Sequence, residues 1–161
     1  MPDVFANLDS AFPLLFSAAF AWVLLWILAS VIYRKSMGKP LIPRKPDNTL
    51  FFESTGSGHS NQNLFTRLGG ARNCLSVAIT DKALIIQPTF PFNLMFLPEI
   101  YGLEYNIPRE NIHSMSVKEA IFGRTVTLEF TRADGTTNSI DLRLRGADQF
   151  LKVIKQYEPA L

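Results

Sequence analysis

From Ala11 to Tyr33 the chain reads AFPLLFSAAFAWVLLWILASVIY, 23 residues without a charged side chain. At about 1.5 Å per residue this makes roughly 35 Å of helix against roughly 30 Å of hydrocarbon core, so the stretch predicts one transmembrane helix over residues 11–33. Pro13 is placed in its first turn, where the helix does not need the missing N–H. From 34 to 48 the apolar periodicity stops. RKSMGKPLIPRKP, with three prolines and a glycine, predicts an extended, semi-rigid tether. Beyond it, over 49–161, apolar positions recur at a spacing of two, and a single β-rich domain is expected.

Two antiparallel hairpins are legible there. Leu75, Val77 and Ile79 alternate with smaller residues, Asp81-Lys82 interrupts, and Ala83 to Gln87 resumes as a strand. Val126, Leu128 and Phe130 share a face, Asp134-Gly135 supplies a turn, and Ile140, Leu142 and Leu144 line the returning strand. Thr49 to Glu53 and Asn111 to Lys118 are further strand candidates. The Ser/Gly-rich run from Glu53 to Ser60 predicts a surface loop, and Gly69-Gly70 a turn into the Leu75 strand, with an anion nest as the competing reading of Gly69 to Arg72. After Gly146 the period changes to about 3.6, with Ala147, Phe150, Leu151, Ile154 and Tyr157 on one face, predicting a closing amphipathic helix. The expected fold is thus an N-terminal transmembrane helix plus an α+β domain, a small antiparallel barrel or sandwich plugged by its terminal helix.

These features resemble the pleckstrin-homology-like (PH-like) superfold, in particular its bacterial and GRAM-type members. The resemblance rests on Leu75-Ser76-Val77-Ala78-Ile79-Thr80-Asp81-Lys82-Ala83-Leu84-Ile85-Ile86, the lead-in Ile107-Pro108-Arg109-Glu110-Asn111-Ile112, the Asp134-Gly135 turn, and Phe150-Leu151 in the closing helix. It covers roughly Thr49 to Tyr157. It implies a binding or scaffolding module that often works at membranes, and no catalytic residue.

Charge sets the expected topology. The formal net charge is +2, but Arg34, Lys35, Lys39, Arg44 and Lys45 all follow the span within a stretch free of acidic residues, while Asp3 and Asp9 precede it. Lys and Arg beside a span are retained in the cytoplasm, so residues 1–10 are expected outside and the domain inside, at the inner or plasma membrane. A cleaved secretory signal, the competing reading, needs a basic leader that these ten residues do not supply. The same five cations would attract anionic lipid, although topology alone accounts for them. From Asp47 onward 11 basic residues face 12 acidic ones without local clustering, which argues against a nucleic-acid surface and against a phosphate patch.

Two candidate interaction surfaces follow. Ser17 and Ala21 form a small-xxx-small pair beside Trp22 and Trp26, a face on which another helix, or a second copy, could pack. The second is the insert PTFPFNLMFLPEIYG, residues 88–102, with Phe90, Phe92, Leu94, Met95, Phe96, Leu97, Ile100 and Tyr101 between prolines that forbid a regular strand or long helix. So much apolar surface must join the core, enter the bilayer or meet a partner; Glu99 and Glu104 would keep its rim soluble.

Candidate chemistry adds little. The single cysteine, Cys74, excludes an intrachain disulfide and suits a reducing compartment. His59 and His113 have no metal-ligand spacing, and His113 is expected half-buried on its strand. Glu53 to Ser60 matches neither a nucleophile elbow nor a phosphate-binding P-loop. The expected function is therefore non-enzymatic and without cofactor or metal: a membrane-anchored binding or scaffolding module engaging a membrane protein or the lipid surface. The alternative is an accessory subunit docked through its helix, its soluble domain mainly structural.

Overall fold

One helix, α1, runs from Asp3 to Ser36 in the computed structural model, which describes the backbone of residues 3–95, 101–120 and 123–157. It starts eight residues earlier than the uncharged stretch predicts. Pro13 consequently lies inside the helix rather than in its first turn. The Ser17 hydroxyl donates to the Pro13 carbonyl at 2.7 Å. Arg34 and Lys35 belong to the last helical turn rather than to the tether, where cations favour the carbonyl end. The chain divides into two compact units, Met1–Leu41 and Ile42–Leu161.

The second unit is a seven-stranded antiparallel sheet: β1 (Phe51–Ser60), β2 (Ala71–Ile79), β3 (Ala83–Pro88), β4 (Tyr105–Pro108), β5 (Ile112–Ala120), β6 (Gly123–Thr131) and β7 (Thr137–Arg143). A short helix, α2 (Leu64–Leu68), joins β1 to β2, and α3 (Ala147–Ile154) follows β7. The strand order is β4-β3-β2-β1-β7-β6-β5, so β1 pairs with β2 on one side and β7 on the other, and β4 and β5 are the edges. The expected barrel does not close, because no ladder joins β4 to β5. The sheet bends instead around one core, bringing the Tyr105 ring of β4 edge-to-face against Phe130 of β6 at 5.1 Å. Tyr105 also donates to Ser60 Oγ on β1 at 2.8 Å and accepts from Asn138 Nδ2 on β7 at 3.1 Å. This buried trio links the edge strand to the middle of the sheet.

Both predicted hairpins form, β2–β3 and β6–β7, and Val77, Ile79, Val126, Leu128, Ile140 and Leu142 are wholly buried. Strand β2 is buried on both faces rather than one: Ser76 and Ala78, both small, are covered as well. The terminal helix buries Ala147, Phe150 and Ile154 as its period predicts. Its N-terminus has no side-chain cap of its own; the Glu53 carboxylate on β1 accepts from the backbone N–H groups of Arg145 and Gly146, both at 2.9 Å. That cap crosses 93 residues of sequence, which is why no local motif announces it.

The predicted loop at 53–60 is a strand. Gly56 and Gly58 face inward, and a side chain on Gly58 would start 2.5 Å from the Asp141 carbonyl oxygen. Serine and glycine here serve close packing of β1 on β7, not flexibility. Replacement of Gly58 by Ala is expected to cost about 1–3 kcal/mol, since the clash is with backbone that cannot swing aside. Urea unfolding of the full-length protein in detergent, followed by circular dichroism, reads this directly, and an unshifted midpoint would show that β7 moves freely.

Candidate functional site

The β3–β4 connection begins tied to β2: the Thr89 backbone N–H and hydroxyl both donate to the Cys74 carbonyl, at 2.8 and 3.2 Å. A single 3-10 turn, Phe92–Leu94, follows, as the prolines require. The insert then divides. Asn93 is buried, Tyr101 packs against the core and Leu103 is part of it. Phe90, Phe92 and Met95 are 56, 41 and 57% exposed, and Leu94 is half-buried. Phe96, Leu97, Glu99 and Ile100 lie outside the described residues. Burying the remaining exposed surface of the trio against an apolar phase would release roughly 1 kcal/mol per side chain.

On α1, Ser17, Ala21, Trp22 and Trp26 are all exposed, and the two indoles meet edge-to-face at 6.1 Å. The Ser17 hydroxyl is already engaged by the helix backbone. Of the five juxtamembrane cations, Arg34 is buried and donates to the Pro40 carbonyl through Nε and Nη2, at 3.3 and 3.2 Å. Lys45 stands 5.8 Å from the centre of the Phe52 ring. Lys35 and Arg44 are exposed and Lys39 half-exposed. Arg34 thus terminates the helix by folding the chain back on itself.

Cys74 is buried in the core cluster, and burial pushes its thiol above the usual range, with a weaker opposing hydrogen bond from the Arg72 backbone. Such a thiol is a packing residue. His113 is exposed on edge strand β5, not half-buried, and its Nε2 contacts the Thr131 hydroxyl. Among the described residues no group of three or more His, Cys, Asp or Glu converges as a metal site would require. Asp134, in the β6–β7 turn, has its carboxyl held below the ordinary value mainly by the Thr136 hydroxyl and backbone N–H.

No known family model matches the chain, and no characterised protein matches it. Geometry therefore carries the functional reading.

One site escaped the sequence. A recess of about 560 Å³ opens beside β1, β7 and the β5–β6 hairpin, lined among others by Arg67, Arg72, Lys118 and Arg143. Arg67 and Arg72 are five residues apart, but Lys118 and Arg143 lie 46 and 71 residues beyond Arg72, so no local cluster announces the group. Only the sheet register reveals them as neighbours: Arg143 faces Ser57 on one side and Thr125 on the other, and Thr125 faces Lys118.

Proposed function

We propose that this chain is a membrane-anchored, PH-like binding module that works at the cytoplasmic face. Its helix holds the domain at the bilayer, and the exposed rings of the β3–β4 connection engage a membrane protein or the lipid surface. The observation that carries this reading is the grouping of Phe90, Phe92 and Met95, three exposed large apolar side chains within six residues of one connection, whereas Ile42, Leu64 and Val117 are exposed singly elsewhere along the chain. Support for the anchor comes from the uncharged helix, whose Phe16, Phe20, Leu24, Leu25 and Leu28 are all exposed. Helix and sheet alike suit a PH-like module, since seven antiparallel strands wrap one core and a terminal helix follows. The 14 residues between α1 and β1 reach about 50 Å at most, which keeps the domain near its anchor.

A photo-crosslinking amino acid placed at Phe92 tests the reading in native membranes. Protein adducts name a partner, lipid adducts identify the bilayer as the contact, and reproducible absence of both removes the proposal. Phe92→Asp is expected to abolish the adducts formed by a crosslinker at the neighbouring Phe90 while leaving the far-ultraviolet circular dichroism unchanged. Loss of the dichroism instead would assign the ring to the core.

A second reading has its own observation, the exposed Trp22–Trp26 pair on α1. If the protein is an accessory subunit docked through this face, Trp22→Leu lowers co-purification of its partner and Phe92→Asp does not.

A further inference from the structure

We infer that the outer face of the β1–β7–β6–β5 half-sheet is a second interaction surface, and that it takes an extended acidic peptide. One transverse row of this face reads Ser57 on β1, Arg143 on β7, Thr125 on β6 and Lys118 on β5, each facing the next across the ladder. Arg72 extends the recess on the β2 side and Arg67 comes from α2. Adjacent strands lie about 4.8 Å apart, so Arg143 and Lys118, two strands apart, have their backbones roughly 10 Å from each other. Hydroxyls occupy the strand between and beside them.

Three features make this a docking surface. Arg143 is held in place, its Nε donating to the Thr125 hydroxyl at 3.1 Å. Behind it, Asp141 is committed internally: it accepts from the Thr127 hydroxyl at 2.7 Å and pairs with His59 at 3.2 Å. Glu119, at the rim, is paired with Arg124 at 3.5 Å. By contrast, among the described residues no carboxylate is paired with Arg67, Arg72 or Lys118, all of which are exposed. The recess therefore presents more cations than its own carboxylates neutralise, and the surplus faces outward.

Charge distribution favours one ligand class: the carboxylates of Asp141 and Glu119 in the recess oppose a single dense charge more than charges spread along a chain. An extended chain advances about 3.3 Å per residue, so acidic side chains two to four residues apart match cations roughly 10 Å apart once the flexible stems adjust. Hydroxyls between the cations suit the intervening polar backbone. Charge complementarity of this kind sets register and encounter rate more than raw affinity.

The test uses full-length protein in detergent micelles and a fluorescein-labelled decapeptide of alternating glutamate and serine, read by anisotropy at low salt. The peptide is expected to bind, and Arg72→Gln combined with Lys118→Gln to weaken binding about tenfold, with unchanged circular dichroism because both side chains are exposed and unpaired. A lysine–serine peptide of equal length should not bind. Absence of binding by the acidic peptide, or binding indifferent to the two substitutions, overturns the inference. Tighter, substitution-sensitive binding of inositol phosphates or of vesicles containing phosphatidylserine also overturns it, assigning the recess to phosphate instead. The rings of the β3–β4 connection take no part, so Phe92→Asp should leave the anisotropy untouched.

Discussion

Leu24→Arg combined with Leu25→Arg is expected to release the protein from carbonate-washed membranes. Both side chains are exposed near the middle of the uncharged stretch of α1. A charge at that depth costs about 3 kcal/mol on insertion scales, and each lost leucine forfeits about 0.5 kcal/mol more, so the pair removes about 7 kcal/mol from the insertion balance. A 23-residue apolar stretch does not hold so large a reserve. Two neighbouring arginines also cannot both snorkel to an interface roughly 15 Å away without distorting the bilayer. The companion measurement is the pelleted fraction after alkaline extraction, with the soluble domain's dichroism as the control. Retention of the double variant in the pellet would refute a spanning role for α1 and transfer the anchoring question to the β3–β4 rings.

Phe150→Ala is the largest single-site loss expected within the domain. The ring is 0% exposed and meets Phe51 edge-to-face at 5.4 Å, joining α3 to β1. Truncation removes the transfer energy of the ring and leaves a cavity in the core cluster, for about 3–5 kcal/mol. Domains of this size hold roughly 5–15 kcal/mol in all, so unfolding should begin in urea concentrations the parent tolerates. Loss of near-ultraviolet signal is the appropriate readout, since it reports aromatic packing. A midpoint within experimental error of the parent would mean that α3 is dispensable and that the sheet alone supports the core.

These expectations show which parts of the molecule a sequence discloses. Alternation at β2 and β6–β7 and the 3.6 spacing of α3 were legible because Val77, Leu128, Ile140 and Phe150 answer to local periodicity and to nothing else. Strand β1 was not. Its Gly56 and Gly58 are required by close approach to Leu75, Asp141 and Leu144, residues 17 to 88 positions away, and a Ser/Gly run looks the same whether it is mobile or tightly clasped. Helix α1 outran its hydropathy signal because Asp3 and Asp9 limit an uncharged stretch without limiting a helix. The exposed trio of the β3–β4 connection was visible as composition, yet its division from Tyr101 and Leu103 was not, because only tertiary packing separates a ring inside the core from one outside it. The cationic recess was invisible for a further reason: Lys118 and Arg143 come within two strands of each other through register, Arg67 and Arg72 reach the same recess from α2 and β2, and charge counting along the chain averages them away.

The place of β1 in the middle of the ladder has a consequence for biosynthesis. Its second partner is β7, and Ser60 waits about eighty residues for Ile140 to be made. Glu53 waits still longer for the helix whose first amide groups it holds. During translation β1 can pair with β2 at once, but its opposite edge stays open until β7 has emerged. On the proposed topology the anchor has entered the bilayer by then, so the last ladder closes on a nascent chain already confined to the membrane surface. Until then the open edge of β1 offers its unpaired backbone groups to the strands of other chains.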